Sequence, residues 1–324
     1  MHERILQDLL QKELLQPDET DRIRDFEANK PFSLHWELTT MLYVGVLLLN
    51  VGLGILIYEN IDSIGHAAII ALIGGISAGC FWYAYRRRKP FSRGEVESPT
   101  PYYDYLLLLG CLTFLIMEGY WQYQYHIFGD QYGLATFIPM LLFFATAYLL
   151  DNRGVLSLGI TLLASWAGIV VTPYNLLESN DFNSATIVIT GVLLGILLAV
   201  IPFLGEKLDF KKHYSLTYLN FSVHLLMISC LAGMIALDQS AVYFPLLCLS
   251  VAFYLWYART QGSFYFLTAA VLYGYIGFTW LLLNSAPGLD FSAYLLYFLV
   301  SCGGVIVFLM ISDERASVST PSYP

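Results

Sequence analysis

Ten apolar segments, separated by short polar connections, constrain this 324-residue chain more than any other feature. A helix needs about 20 mostly apolar residues to cross the hydrocarbon core of a membrane. Because the apolar residues run continuously rather than in alternation, the segments predict helices and exclude the strands of a membrane barrel. We predict an all-α integral membrane protein of about ten transmembrane helices, the eighth of them short. The segments lie at about 36–58, 64–85, 102–120, 132–150, 154–172, 185–204, 215–237, 241–257, 263–283 and 291–311.

The composition is typical of a membrane protein. Charged residues make up only 13% of the chain, whereas a soluble domain carries about 25%. The formal net charge of −9 argues against a nucleic-acid partner, which would require a basic face. All five cysteines fall within apolar segments without a C-x-x-C pair, which favours small buried side chains over zinc ligands or disulfides. We expect no metal and no cofactor.

The positive charges predict the orientation in the membrane. Lys and Arg concentrate in cytoplasmic loops. If the N-terminus is cytoplasmic, all 16 Lys and Arg fall on the cytoplasmic side. We therefore predict that both termini are cytoplasmic. The basic cluster that follows the second span is either a plain topology determinant or a binding site for anionic lipid, and it consists of Arg86, Arg87, Arg88 and Lys89.

The chain divides into three predicted parts. Residues 1–35 are a cytoplasmic helical hairpin with its lead-in, residues 36–311 the ten-helix transmembrane domain, and residues 312–324 a cytoplasmic C-terminal tail. The hairpin is predicted by an apolar helical stripe and by Pro17 ahead of two acidic residues. Its role is either a cap on the helix ends or an element that binds a regulatory protein partner.

Small residues recur every four positions in the second span, a spacing that lets another helix approach closely. This predicted helix-packing stripe consists of Ala67, Ala71, Gly75 and Gly79.

Several sequence segments together resemble a known family. They read L-L-Q-P-D-E-T-D-R-I at 14–23, Y-E-N-I-D-S-I at 58–64, Y-Q-Y-H-I-F-G-D at 123–130 and L-L-D-N-R-G-V-L at 149–156. Over roughly residues 5–170 the chain resembles a bacterial predicted-membrane-protein family catalogued as domain of unknown function twenty-one fifty-seven. The resemblance implies a protein of the bacterial inner membrane. It implies no catalytic residue, because the family has no established activity.

Three polar residues at four-residue spacing follow one another at the predicted outer end of the third span: Glu118, Gln122 and His126. If the helix continues past Trp121, the three share one face. A carboxylate, an amide and an imidazole on one stripe could bind a cation or a polar solute, or relay a proton. The alternative is a polar helix end that touches water. His66, at the start of the second span, could face His126 or Glu118.

A second polar pair, Asn220 and His224, lies one helical turn apart near the middle of the seventh span. The pair either forms part of a polar path through the membrane or makes hydrogen bonds between helices.

These features favour a polytopic membrane protein that binds or transports a small solute, an ion or a lipid, because ionisable residues inside a membrane mark functional sites. One alternative is a non-catalytic sensor or assembly partner that signals through a protein bound at residues 1–30. Another is a membrane-embedded enzyme with a site at the outer face. The chain has no P-loop, nucleophile elbow or dinucleotide fingerprint, so the sequence favours a non-enzymatic role without deciding it.

Overall fold

Ten α-helices lie within the residues that the computed structural model describes, which are 35–100, 102–129, 131–171, 185–285 and 291–319. Each predicted apolar segment corresponds to one helix, and the described residues contain no strand, so the all-α prediction is confirmed. The helices are α1 (His35–Ile64), α2 (His66–Arg87), α3 (Tyr103–Tyr125), α4 (Tyr132–Leu150), α5 (Arg153–Val171), α6 (Ala185–Leu208), α7 (Ser215–Ile235), α8 (Ser240–Gln261), α9 (Phe264–Ser285) and α10 (Phe291–Ser319).

Eight helices of the described residues, α2 to α9, are long and apolar enough to span a membrane. The apolar stretches of α1 and α10 are shorter, Thr40–Ile55 and Tyr294–Met310, so ten spans stays a prediction. The prediction of a short eighth span is wrong, because α8 has 22 residues. The helix continues through polar residues that ended the apolar segment, and it stops only at Gly262, which takes the left-handed conformation at φ 64°.

The described residues divide after Gly52, and those from Leu53 onward form one compact unit, separate from the unit that contains His35–Gly52. The predicted hairpin lies outside the described residues, apart from its last residue, and α10 runs to Ser319, past the predicted end of the last span. Every site discussed below lies within residues 53–324.

Helix α7 is the central element of this larger unit. Consecutive helices pack as pairs, and α7 contacts α6, α8 and α9. Its apolar side chains belong to a core that α6, α8 and α9 also supply, and Tyr214 and Tyr218 join a second core that reaches from α2 to α6. The α6–α7 contact is close, since a Cβ atom at Gly195 would lie 2.9 Å from the Leu226 backbone.

The predicted packing stripe on α2 has no such contact. Ala67 and Ala71 are exposed, and a Cβ atom at Gly75 or Gly79 would meet nothing within 4 Å. The buried face of α2 consists instead of Ile69, Ile73, Ser77, Cys80 and Ala84. The stripe is therefore open in this chain, and its role in packing stays a prediction.

The cysteines follow the prediction in part. All five are free, and Cys80, Cys111 and Cys230 are buried as expected. Cys248 and Cys302 are exposed, although the Tyr275 hydroxyl of α9 lies 3.4 Å from Cys302 Sγ. An apolar segment places a residue on a helix but does not decide which face it occupies.

Candidate functional site

Glu118 carries one of four buried side-chain polar atoms that have no hydrogen-bond partner within the described residues. Helix α3 continues to Tyr125, so Glu118 lies about 10 Å from the C-terminal end of the helix at a rise of about 1.5 Å per residue. That depth is greater than the apolar segment indicates, since the segment ends at residue 120. The residue is only 6% exposed, and its Oε1 atom has no hydrogen-bond partner. A buried carboxyl group with one unpartnered oxygen therefore lies inside a candidate membrane span.

Gln122 lies one turn further along the same face and is equally buried. Its amide is fully engaged with the connection that follows α3. The Nε2 atom donates to the Gly129 carbonyl at 3.1 Å, and the Oε1 atom accepts from the Phe128 N–H at 2.9 Å. The geometry therefore gives Gln122 the role of closing the loop at the end of the helix.

His126 is exposed, unlike the buried Glu118 and Gln122, and the three-residue stripe stays a prediction at this position. The helix ends one residue earlier, and His126 is its C-cap at φ 48°. Its backbone N–H donates to the Gln122 carbonyl, and its side chain is exposed. A left-handed residue turns the chain away from the helix axis, which spacing alone does not reveal.

His66 contacts Tyr120 of α3, and its approach to Glu118 or His126 stays a prediction. Its Nδ1 atom lies 2.5 Å from the hydroxyl of Tyr120, which joins α2 to α3 near the same end. The described residues contain no group of three or more His, Cys, Asp and Glu that could hold a metal ion.

Asn220 and His224 are brought together by two tyrosines of α9 that sequence reasoning missed. The Tyr265 hydroxyl donates to Asn220 Oδ1 and lies 2.6 Å from His224 Nε2. The Tyr273 hydroxyl lies 2.8 Å from His224 Nδ1. The two tyrosines are eight residues apart, close to two helical turns, so they lie on one face of α9. That spacing is the sequence feature that could have identified them.

This network links α7 to α9 by hydrogen bonds, and its polar groups lie at different positions along the two helices. Tyr265 lies at the start of α9, and His224 lies about 14 Å into α7 from Ser215. A polar path through the membrane at these residues stays a prediction. Hydrogen bonding between helices is equally satisfied by the same contacts.

A buried ion pair, also missed from the sequence, joins three connections of the chain. Lys211 Nζ lies 3.0 Å from Asp151 Oδ2, with side chains only 2% and 3% exposed. His213 Nε2 lies 2.5 Å from Asp151 Oδ1. The Val96 N–H donates to Asp151 Oδ2 at 2.5 Å. We call these residues the Asp151 cluster.

The Asp151 cluster holds the 88–100 loop, the α4–α5 turn and the α6–α7 connection together. The Lys211 N–H donates to the Arg93 carbonyl at 2.7 Å, which ties the loop to the α6–α7 connection a second time. Arg153 pairs with Glu95 at 2.6 Å on the exposed side. Both Asp151 and Lys211 have positive φ, a conformation that persists only where its surroundings determine it.

The electrostatics of Asp151 follow from these partners. Burial alone would raise the pKa of its carboxyl, but hydrogen bonds from Lys211, Val96 and His213 and the charge of His213 outweigh burial. The pKa is therefore held below its usual value. An ionised, fully bonded carboxylate of this kind is suited to fixing structure.

Comparison with known proteins finds a family match in the N-terminal part of the chain. Residues 7–156 match the model of a family described as Predicted membrane protein (DUF2157). The resemblance seen in the sequence is confirmed. The DUF2157 match includes Glu118 and Asp151 but ends before Lys211 and His224, and a family of unknown function assigns none of them a role. No curated protein and no solved structure matches the chain.

We predict that Asp151→Asn destabilises the protein strongly. Asparagine keeps the size and tolerates the left-handed conformation, but it leaves the Lys211 ammonium buried without a counter-charge. Removing one partner of a buried pair costs about 3–5 kcal/mol of unfolding free energy. The measurement is denaturant unfolding in detergent at neutral pH. Asp209→Asn is the control, because Asp209 and its partner Lys212 are exposed, and we expect little change.

The difference in unfolding free energy between wild type and Asp151→Asn depends on pH in a defined way. Because folding lowers the pKa of Asp151, its ionised form stabilises the folded state above the unfolded pKa of about 3.9. That contribution is lost as the pH falls through the lower folded pKa. The difference between wild type and Asp151→Asn should thus shrink as the pH falls from about 5 through the lower folded pKa. A difference that grows in acid would contradict this assignment.

Proposed function

We propose that this multi-pass membrane protein transports a small cation and that the Glu118 carboxyl is its proton-binding site. The single observation that carries the proposal is the burial of this carboxyl, without a partner for Oε1, inside a candidate span. The cation-transport class is one of those that the sequence favours.

Burial destabilises the ionised form of the Glu118 carboxyl group. An isolated carboxylate in an apolar medium is so costly that it takes up a proton or a cation instead. Among the described residues, no Lys, Arg or His pairs with Glu118. A structural carboxyl would resemble Asp151, which has three donors, and Glu118 has no such environment.

The surroundings of Glu118 favour a proton over a metal ion. Hard metal cations require about six oxygen ligands, and the described residues offer no cluster of ligating side chains. A proton requires only the carboxyl itself. Gln122 does not complete a solute site, because both ends of its amide are occupied by backbone groups of the following loop.

We predict that purified protein in liposomes admits protons faster than protein-free liposomes when a potential is imposed, and that Glu118→Gln abolishes the difference. Glutamine matches the neutral acid in shape but cannot exchange a proton. The measurement is the initial rate of acidification reported by an internal pH-sensitive dye.

Thr113→Val is the matched control for this flux. Thr113 is also buried in α3, and its hydroxyl donates within the helix, to the Leu109 carbonyl at 2.7 Å. The substitution removes a buried polar group that does not titrate, so the flux should persist. Glu118→Gln should also unfold no earlier than wild type, since no pair is broken. Wild-type rates equal to those of protein-free liposomes, or equal rates in Glu118→Gln, would contradict the proposal.

We further propose that the protein lies in the bacterial inner membrane with both termini in the cytoplasm. Basic residues of the described connections support this orientation, because they occur at the end of the helices where the Asp151 cluster lies. The connection between α7 and α8, at the other end, carries Asp238. Cytoplasmic loops are the ones enriched in Lys and Arg.

Thiol labelling of intact cells tests this orientation. We predict that a membrane-impermeant reagent labels Gln239→Cys in intact cells, whereas Glu97→Cys reacts only after the membrane is opened. Both positions are exposed in connections at opposite ends of the helices. The background variant replaces the exposed Cys248 and Cys302 with Ser. The reverse labelling pattern would show that the orientation is inverted.

A further inference from the structure

Four consecutive cations, Arg86 to Lys89, stand where α2 ends and the chain leaves a candidate membrane span. All four are exposed at the protein surface. In a chain with a net charge of −9, this is a strongly positive local patch. It lies at the depth where a spanning helix meets lipid headgroups.

Two aromatic rings hold the arginines of this patch in place. The guanidinium carbon of Arg86 lies 5.4 Å from the centroid of the Trp82 ring. That of Arg88 lies 4.0 Å from the centroid of the Tyr85 ring. Both distances fit cation–π contacts. The rings themselves are 64% and 60% exposed, as expected of side chains that sit at the headgroup level.

The cations of the patch differ from their neighbours in having no carboxylate. At the same end of the helices, Arg153, Lys211 and Lys212 each form an ion pair. Within the part of the chain that the structure describes, no ion pair involves Arg86 to Lys89. Their charge is thus available to an anion from outside the chain.

The segment that follows the patch is fixed rather than free to fold over it. The Asp151 cluster binds Val96, and the Lys211 N–H binds the Arg93 carbonyl. The Phe91 ring lies 5.2 Å from Lys211 Nζ and 6.4 Å from the Phe210 ring. These contacts draw the loop toward the α6–α7 connection and leave Arg86 and Arg88 uncovered.

We infer that Arg86 and Arg88, with Trp82 and Tyr85, form a binding surface for the headgroup of an anionic phospholipid. A guanidinium group presents paired N–H donors that match two phosphate oxygens. The exposed rings lie against the glycerol and upper acyl region, where amphipathic rings are stable. An anionic lipid is preferred over a zwitterionic one because it brings no cation of its own to the patch. This inference does not depend on proton transport by Glu118.

The test measures the thermal unfolding midpoint of the purified protein in a non-ionic detergent, with phosphatidylglycerol or phosphatidylcholine added. A ligand of the folded state raises the midpoint by mass action. We expect phosphatidylglycerol to raise the wild-type midpoint by several degrees more than phosphatidylcholine does. In the double variant Arg86→Gln/Arg88→Gln, more than half of this difference should disappear, with the lipid-free midpoint unchanged because both side chains are exposed.

The matched control is Lys207→Gln/Arg259→Gln. These two cations occupy the last turns of α6 and α8, are exposed, and have no ring contact among the described residues. The control removes the same charge and should keep the full response to phosphatidylglycerol. An equal loss in both double variants, or no loss in either, overturns the inference. A response to glycerol phosphate as large as that to the lipid also overturns it, because the occupant would then be a soluble phosphate.

Discussion

The hydrocarbon interior of a membrane offers no hydrogen-bond partner, and most features of this protein follow from that constraint. Helices satisfy the backbone, and buried hydroxyls donate to carbonyls, as Ser77 does to Gly110 and Ser222 to Gly195. Tyr254 extends this pattern by donating to Ser222 across the α7–α8 contact. The Oε1 atom of Glu118 departs from the pattern, as do polar atoms of Asn50, Ser240 and Trp280. Glu118 is the member of this group that carries a carboxyl group, and that is the physical reason for assigning it a function.

Two buried carboxyls illustrate how environment separates structure from function. Asp151 accepts from a lysine, a histidine and a backbone N–H, so it is ionised and holds three connections in place. Glu118 is comparably buried, but it lies within a candidate span, where burial destabilises the ionised form of its carboxyl group. The ordered loop that Asp151 anchors also leaves the basic patch of α2 open to lipid. One end of the helices is thus fixed by charge pairing, whereas Glu118 lies toward the other end.

The sequence predicted the helices well, because the length of an apolar run is set by membrane thickness. It failed where polar residues continue a helix, as in the last turn of α8, and it gave no sign of the left-handed residue that ends α3 at His126. The Asp151–Lys211 pair could not be predicted from the sequence, because its members are far apart in the chain and both lie in short connections. A lysine in a short connection usually indicates the side of the membrane on which the connection lies and is expected to be exposed. Lys211 is instead almost wholly buried. Glu118 was recognisable from the sequence as a polar residue near the end of a predicted span, but its depth required the observed end of α3.

The most direct measurement of the central claim is infrared difference spectroscopy of the protein in lipid bilayers as the pH is stepped. A carboxylic acid and a carboxylate have distinct carbonyl bands, so the protonation state of Glu118 is observable without a transport assay. The account predicts a carboxylic-acid band in the wild type that disappears on alkalinisation and is missing from Glu118→Gln. Identical spectra for the two proteins in this region would contradict the claim that Glu118 binds the proton.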